Sequence, residues 1–121
     1  MYEYKIKSIE HIVDGDTFDC MVDLGFSILH KIRVRMYGIN TPESRTRDLE
    51  EKARGLESKK RLIELLEQHE GDLILATKEK GKYGRYLGIV YHTSDECKPR
   101  VDINQQLITE GYAVPYFGGK R

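Results

Sequence analysis

The chain has 121 residues, 39% of them hydrophobic and 33% charged, with 20 Lys and Arg against 20 Asp and Glu. That length supports one hydrophobic core and is too short for two good ones, so a single domain over residues 1–121 is expected. A formal net charge of zero excludes a global basic field, although a nucleic-acid partner depends on where charges sit rather than on their sum.

No apolar run is long enough to cross a membrane. The start, "MYEYKIKSIEHIV", lacks the apolar core of a secretory signal. The expectation is therefore a cytoplasmic protein, intracellular or virus-encoded, without a membrane partner. Cys20 and Cys97 show no metal-ligand spacing and read as two separate thiols.

In chain order, Tyr4, Ile6 and Ser8 alternate with Glu3, Lys5 and Lys7, which predicts a half-buried strand. "VDGDTF" then sets Asp14 and Asp16 on either side of a glycine, two like charges that need a cation or a hydrogen-bonded turn. Phe18, Cys20 and Val22 mark a second strand, and "DLGFS" a turn. A third strand follows, with Ile28, His30, Ile32, Val34 and Met36 on the core face and Leu29, Lys31, Arg33, Arg35 and Tyr37 opposite. "INTPES" ends it, because Pro42 removes a donor and keeps Thr41 out of helical geometry.

From Asp48 to about His69 the period is helical, with Leu49, Ala53, Leu56, Ile63 and Leu66 on one face and Gly71 as the stop. Gly55 inside it costs about 1 kcal/mol of helix stability relative to alanine and permits a break there. "DLILATK" and "YLGIVYH" read as two more strands joined by "EKGKYGR", and "DINQQLITEG" as a short helix between Asp102 and Gly111. The order β-β-β-α-β-β-α is that of a five-stranded OB-type Greek-key barrel, mainly β with helices (α+β). An open α+β sheet would have the same order.

Asp14 and Asp16 at the first turn, Arg35 near the end of the third strand, Glu43 after "NTP" and Arg85 after "KYG" together suit phosphodiester hydrolysis. Carboxylate oxygens hold Ca²⁺ or Mg²⁺, a further carboxylate takes a proton from water, and guanidinium forks match phosphate oxygens.

"VDGDT", "RMYGINTPE" and "KYGR", in this order and at these separations, resemble the staphylococcal nuclease (thermonuclease) family from about Ile9 to about Tyr116. The resemblance implies an OB-fold barrel and a calcium-dependent phosphodiesterase acting as a monomer on DNA or RNA. Such an enzyme has little sequence preference and leaves 3′-phosphate ends. It implies Asp16 as a direct Ca²⁺ ligand, Asp14 acting through water, and the Thr41 carbonyl on the metal. Arg35 and Arg85 would grip the phosphate, Glu43 would serve the attacking water, and Lys82 and Tyr83 would line the nucleotide pocket. In the aromatic tail, Tyr112, Tyr116 or Phe117 would stack a base, with Tyr116 counted among the substrate contacts, and Arg33 would touch the backbone or simply aid solubility.

One position departs. Asn40 stands where the family usually has aspartate, so an amide oxygen replaces a charged ligand and weaker calcium binding is expected. The alternative function is an OB-fold nucleic-acid-binding module without turnover. Arg45 and Arg47 follow the site and would meet the nucleic-acid backbone. His11, His30, His69 and His92 show no ligand spacing, and Lys59, Lys60 and Arg61 read as the wet side of the helix.

Overall fold

A computed structural model describes residues 2–80, 85–93 and 99–116. Strand β1 runs Tyr2–Asp14, β2 Thr17–Asp23, β3 Leu29–Met36 and β4 Ile39–Asn40. Helix α1 spans Leu49–Gln68; β5 Leu73–Lys80 and β6 Arg85–His92 follow. The remaining elements are β7 Val101–Asp102, α2 Ile103–Thr109 and β8 Val114–Pro115.

The ladder order β3-β2-β1-β5-β6 is closed by a parallel pairing of β3 with β6, Arg33 beside Arg85 through Met36 beside Gly88. That contact decides between the barrel and the open sheet: the five long strands form a closed barrel. A separate small ladder pairs Asn40 of β4 with Val114 of β8 and so brings the chain's two halves together beside Thr41. Strand β1 is far longer than its alternation suggested, because three register shifts against β2 bend it around the barrel.

Period-two alternation fills the interior. Phe18, Cys20 and Val22 from β2 and Val34 and Met36 from β3 are all buried. Burial pushes the Cys20 thiol up to about 12, as suits a buried packing residue rather than a nucleophile. Cys97 lies outside the described residues. The core face of β3 stops short of its sequence-stretch, however. Ile28 is 52% exposed, His30 is exposed, and the β2–β3 hairpin projects beyond the barrel wall.

Helix α1 is unbroken and starts where expected: the Asp48 carboxylate accepts from the Glu50 and Glu51 amides. Its buried face is not the expected one. Gly55, Ser58, Leu62, Leu65 and Leu66 face inward, while Leu49 and Leu56 lie in solvent. The C-terminal half plugs the barrel with leucines, whereas the N-terminal half packs through its smallest residues. Arg61 also departs from a purely wet role. Its guanidinium donates to both Glu110 carboxylate oxygens at 2.6 and 3.0 Å, tying α1 to the end of α2 and holding the Glu110 carboxyl below its usual range.

Two long-range contacts have no local signature. The rings of His69 and His92 stack at 3.6 Å, and burial together with the neighbouring imidazole lowers the His92 pKa. Buried Asn104 accepts from the Val90 amide at 3.1 Å and donates to the carbonyls of Tyr37 at 2.8 Å and Gly88 at 3.1 Å. It thereby fixes the end of β3 to β6. Asn104→Ala removes all three bonds, and although the Gly88 carbonyl keeps the Tyr37 amide as a donor, a loss of about 2–3 kcal/mol is expected in urea unfolding. An unchanged midpoint would show that the bonds contribute nothing net.

Candidate functional site

The β1–β2 turn brings Asp14 and Asp16 against the loop that follows β4. Its central Gly15 has no room for a side chain: a Cβ there would lie 2.8 Å from the Ser58 Cβ and 3.2 Å from the Thr41 Cγ2. The two like charges are each given donors from elsewhere. Asp14 Oδ1 accepts from the Ser44 amide at 3.3 Å and from the Ser44 hydroxyl. Asp16, 4% exposed, accepts at Oδ1 from the Thr17 hydroxyl and at Oδ2 from the Thr41 amide, both at 3.0 Å.

Arg35 is the cation between the acids and the loop. It is 8% exposed, and its Nη1 donates to the Met36 carbonyl at 2.9 Å while lying 3.4 Å from Asp16 Oδ2. Its Nη2 donates to the Asn40 amide oxygen at 3.5 Å. The Met36 amide donates back to the Asp16 carbonyl at 2.8 Å, so turn and loop are joined through both backbone and side chains. Arg85, half-buried at the start of β6, pairs in register with Arg33, which puts Arg33, Arg35 and Arg85 on one face of the sheet.

Arg33 is already engaged. Its guanidinium closes on the Asp19 carboxylate at 2.7 and 3.1 Å and holds that carboxyl below its ordinary range. Glu43 is exposed and lines a cleft of about 670 Å³ with Asn40, Thr41 and Pro42. Residues from the α1 and α2 ends complete that cleft, among them Tyr112, one of the aromatics of the tail, and Arg54, which sequence reasoning did not single out. Tyr116 follows β8 and its amide donates to the Gly38 carbonyl at 2.8 Å. Arg45 and Arg47 are exposed on the loop before α1. Lys82 and Tyr83 lie outside the described residues.

The cation ligands expected from the sequence, two carboxylates, the Asn40 amide oxygen and the Thr41 carbonyl, are all hard oxygen donors. Buried Thr41 Oγ1 has no hydrogen-bond partner among the described residues. In kind this set fits an oxygen-seeking divalent cation. In charge it is one carboxylate poorer than a three-acid centre. Among the described residues no group of three His, Cys, Asp or Glu side chains could hold a metal ion.

The geometry depends on how closely α1 approaches the Glu43 loop. A Cβ on Gly55 would lie 2.4 Å from the Glu43 carbonyl oxygen and 2.7 Å from the Ser44 nitrogen, both backbone atoms with little freedom to move. Gly55→Ala, a gain of about 1 kcal/mol in helix propensity, is therefore expected to destabilise the protein by about 1–3 kcal/mol through overpacking. Urea midpoints of the two forms check the sign, and a more stable alanine variant would contradict the packing.

The family model for the staphylococcal nuclease homologue matches residues 33–121. Among curated proteins nothing matches the chain. The matched span holds Arg35, Asn40, Thr41, Glu43 and Arg85; Asp14 and Asp16 precede it and join it through the hydrogen bonds above.

Proposed function

The chain belongs to the staphylococcal nuclease homologue family, whose members point to a nuclease-like or nucleic-acid-binding role, and from that premise we propose a calcium-dependent nuclease acting on DNA or RNA. The observation that carries this reading is the junction of the Asp14–Asp16 turn with the 40–44 loop around buried Arg35. Acids, a fixed guanidinium and an exposed carboxylate at a cleft mouth are the parts that phosphodiester hydrolysis needs.

In this reading Asp16, the Asn40 amide oxygen and the Thr41 carbonyl would hold Ca²⁺, with Asp14 contributing through a water molecule. The bound ion supplies neutralisation and polarisation of the phosphate. Arg35 and Arg85 orient the phosphate oxygens from one sheet face and stabilise the charge that grows on them. Glu43, exposed to the solvent that delivers the nucleophile, takes a proton from the attacking water. The bond from phosphorus to the 5′ oxygen breaks, leaving a 3′-phosphate. Lys82, Tyr83 and Tyr116 contact the nucleotide. Arg33, whose Nε and Nη2 are engaged by Asp19, has its Nη1 left to offer a phosphate. Contacts to phosphate rather than to base edges give little sequence preference.

Asn40 favours a second reading, a binding module without turnover, because it lowers the charge available to a cation. Release of acid-soluble fragments from denatured DNA, titrated with Ca²⁺ against an EDTA control, separates the two. The expected result is calcium-dependent cleavage that Glu43→Gln reduces by about 10²–10⁴-fold with DNA binding retained in anisotropy titrations. Equal cleavage by Glu43→Gln and the parent would remove Glu43 from the mechanism, and binding without cleavage at any calcium level would leave the binding module.

Asn40→Asp restores a charged ligand. It is expected to move the calcium midpoint of cleavage down by roughly tenfold, as ligand charge sets affinity in such sites. A midpoint that stays or rises would show that position 40 does not contact the ion.

A further inference from the structure

The cleft beside Glu43 extends well past the residues that the hydrolytic reading uses. Its wall runs from Asn40 through Glu43 to Glu51 and Arg54 on α1, and its far side is Tyr112 with the chain that leads into β8. A volume of about 670 Å³ lies in the range of sites that take a whole small ligand. We propose that this cleft is a subsite for the nucleotide flanking the scissile phosphate, with Arg54 holding that nucleotide's own phosphate and Tyr112 stacking its base. The proposal rests on the nuclease reading of the neighbouring site and names the part of the strand that reading leaves unbound.

Three features fit the ligand. Arg54 is exposed and has no ion-pair partner among the described residues, in contrast to Arg33 and Arg61, whose forks are closed on carboxylates. A guanidinium left open at the rim of a cleft matches a phosphate bidentately. Tyr112 is half-buried, packed against the core and also lining the cleft, which gives a base a rigid aromatic face. Its carbonyl accepts from the Ser58 hydroxyl at 2.7 Å, so α1 holds the tyrosine in place.

The same helix sets the distance to the chemistry. Gly55, next to Arg54, packs directly on the Glu43 and Ser44 backbone, and this contact fixes Arg54 relative to the catalytic loop. Glu51, one turn before Arg54, also lines the cleft and repels a second phosphate.

The test uses the intact protein without metal, so that substrates persist, and single-stranded oligonucleotides lengthened one nucleotide at a time, as both deoxy and ribo series. Anisotropy gives affinity as a function of length and salt. In the parent, affinity is expected to step up at one added nucleotide. Arg54→Gln is expected to remove that step and to flatten the log–log salt dependence by about 0.7, the share of one phosphate on a single strand. Arg54→Lys should keep the slope. Tyr112→Leu, which retains the core contact, should cost roughly tenfold in affinity at the same length. Parent-like length and salt profiles in Arg54→Gln would overturn the subsite while leaving the nuclease reading intact. A parent that binds no oligonucleotide of either series would overturn the subsite, and the nuclease reading would still be decided by cleavage in calcium.

Discussion

The buried carboxylate of Asp16 is the contact on which the site depends. It ends one strand pair and receives the Thr41 amide from a loop 25 residues further on. A charge at 4% exposure is costly to bury, and the nearby Arg35 offsets that cost only in part. The pair therefore does more for position than for stability. It fixes where the loop leaves the barrel, and hence where Glu43 and the cleft begin. Ser44 performs the same service for Asp14, so the two acids of the turn are held by two points of a single loop. The repulsion within "DGD" is relieved by backbone and hydroxyl donors as well as by one guanidinium.

Close packing by small residues makes this arrangement possible. Gly15 lies under Ser58 and Thr41, and Gly55 lies on the Glu43 backbone, so turn, loop and helix meet with almost no side chain between them. Helix propensity counts Gly55 as a defect. At this place the defect is the contact, since any side chain would push α1 away from the loop. The leucines nearer the C-terminal end of α1 supply the burial that holds the helix down. The helix is thus anchored at one end by the hydrophobic core and shaped at the other by the site.

Much of this was legible in the sequence where the signal is local. Alternation placed Phe18, Cys20, Val22, Val34 and Met36 in the core, and the Asp48 and Asp102 caps placed both helix starts. In and beside the motifs, hydrogen bonds join Asp16 to Thr41 and Asp14 to Ser44. What escaped depends on register between distant segments. Closure of the barrel is a β3–β6 contact that no window of sequence contains. The engagement of Arg33 by Asp19 follows from their being opposite each other across β2 and β3, and that of Arg61 by Glu110 from the packing of two helices. The buried face of α1 differs from the expected one because a hydrophobic period finds leucines, and two of its five buried residues are a glycine and a serine. Asn104 gave no signal for the same reason: a polar residue on a short helix looks wet until its three backbone partners are known.

Position 40 shows how charge and geometry are coupled here. Asp14, Asp16 and Arg35 sum to one net negative charge, and Asn40 adds none. With an acid at 40, Arg35 would stand between two carboxylates and a third negative charge would need compensation. With the amide, Arg35 makes a long bond to Asn40 Oδ1 and lies 3.4 Å from Asp16 Oδ2. In the calcium-dependent reading a cation at Asp16 would compete with Arg35 for that carboxylate, and an incoming phosphate would offer the guanidinium oxygens in its place. On that reading metal and substrate would favour each other's binding.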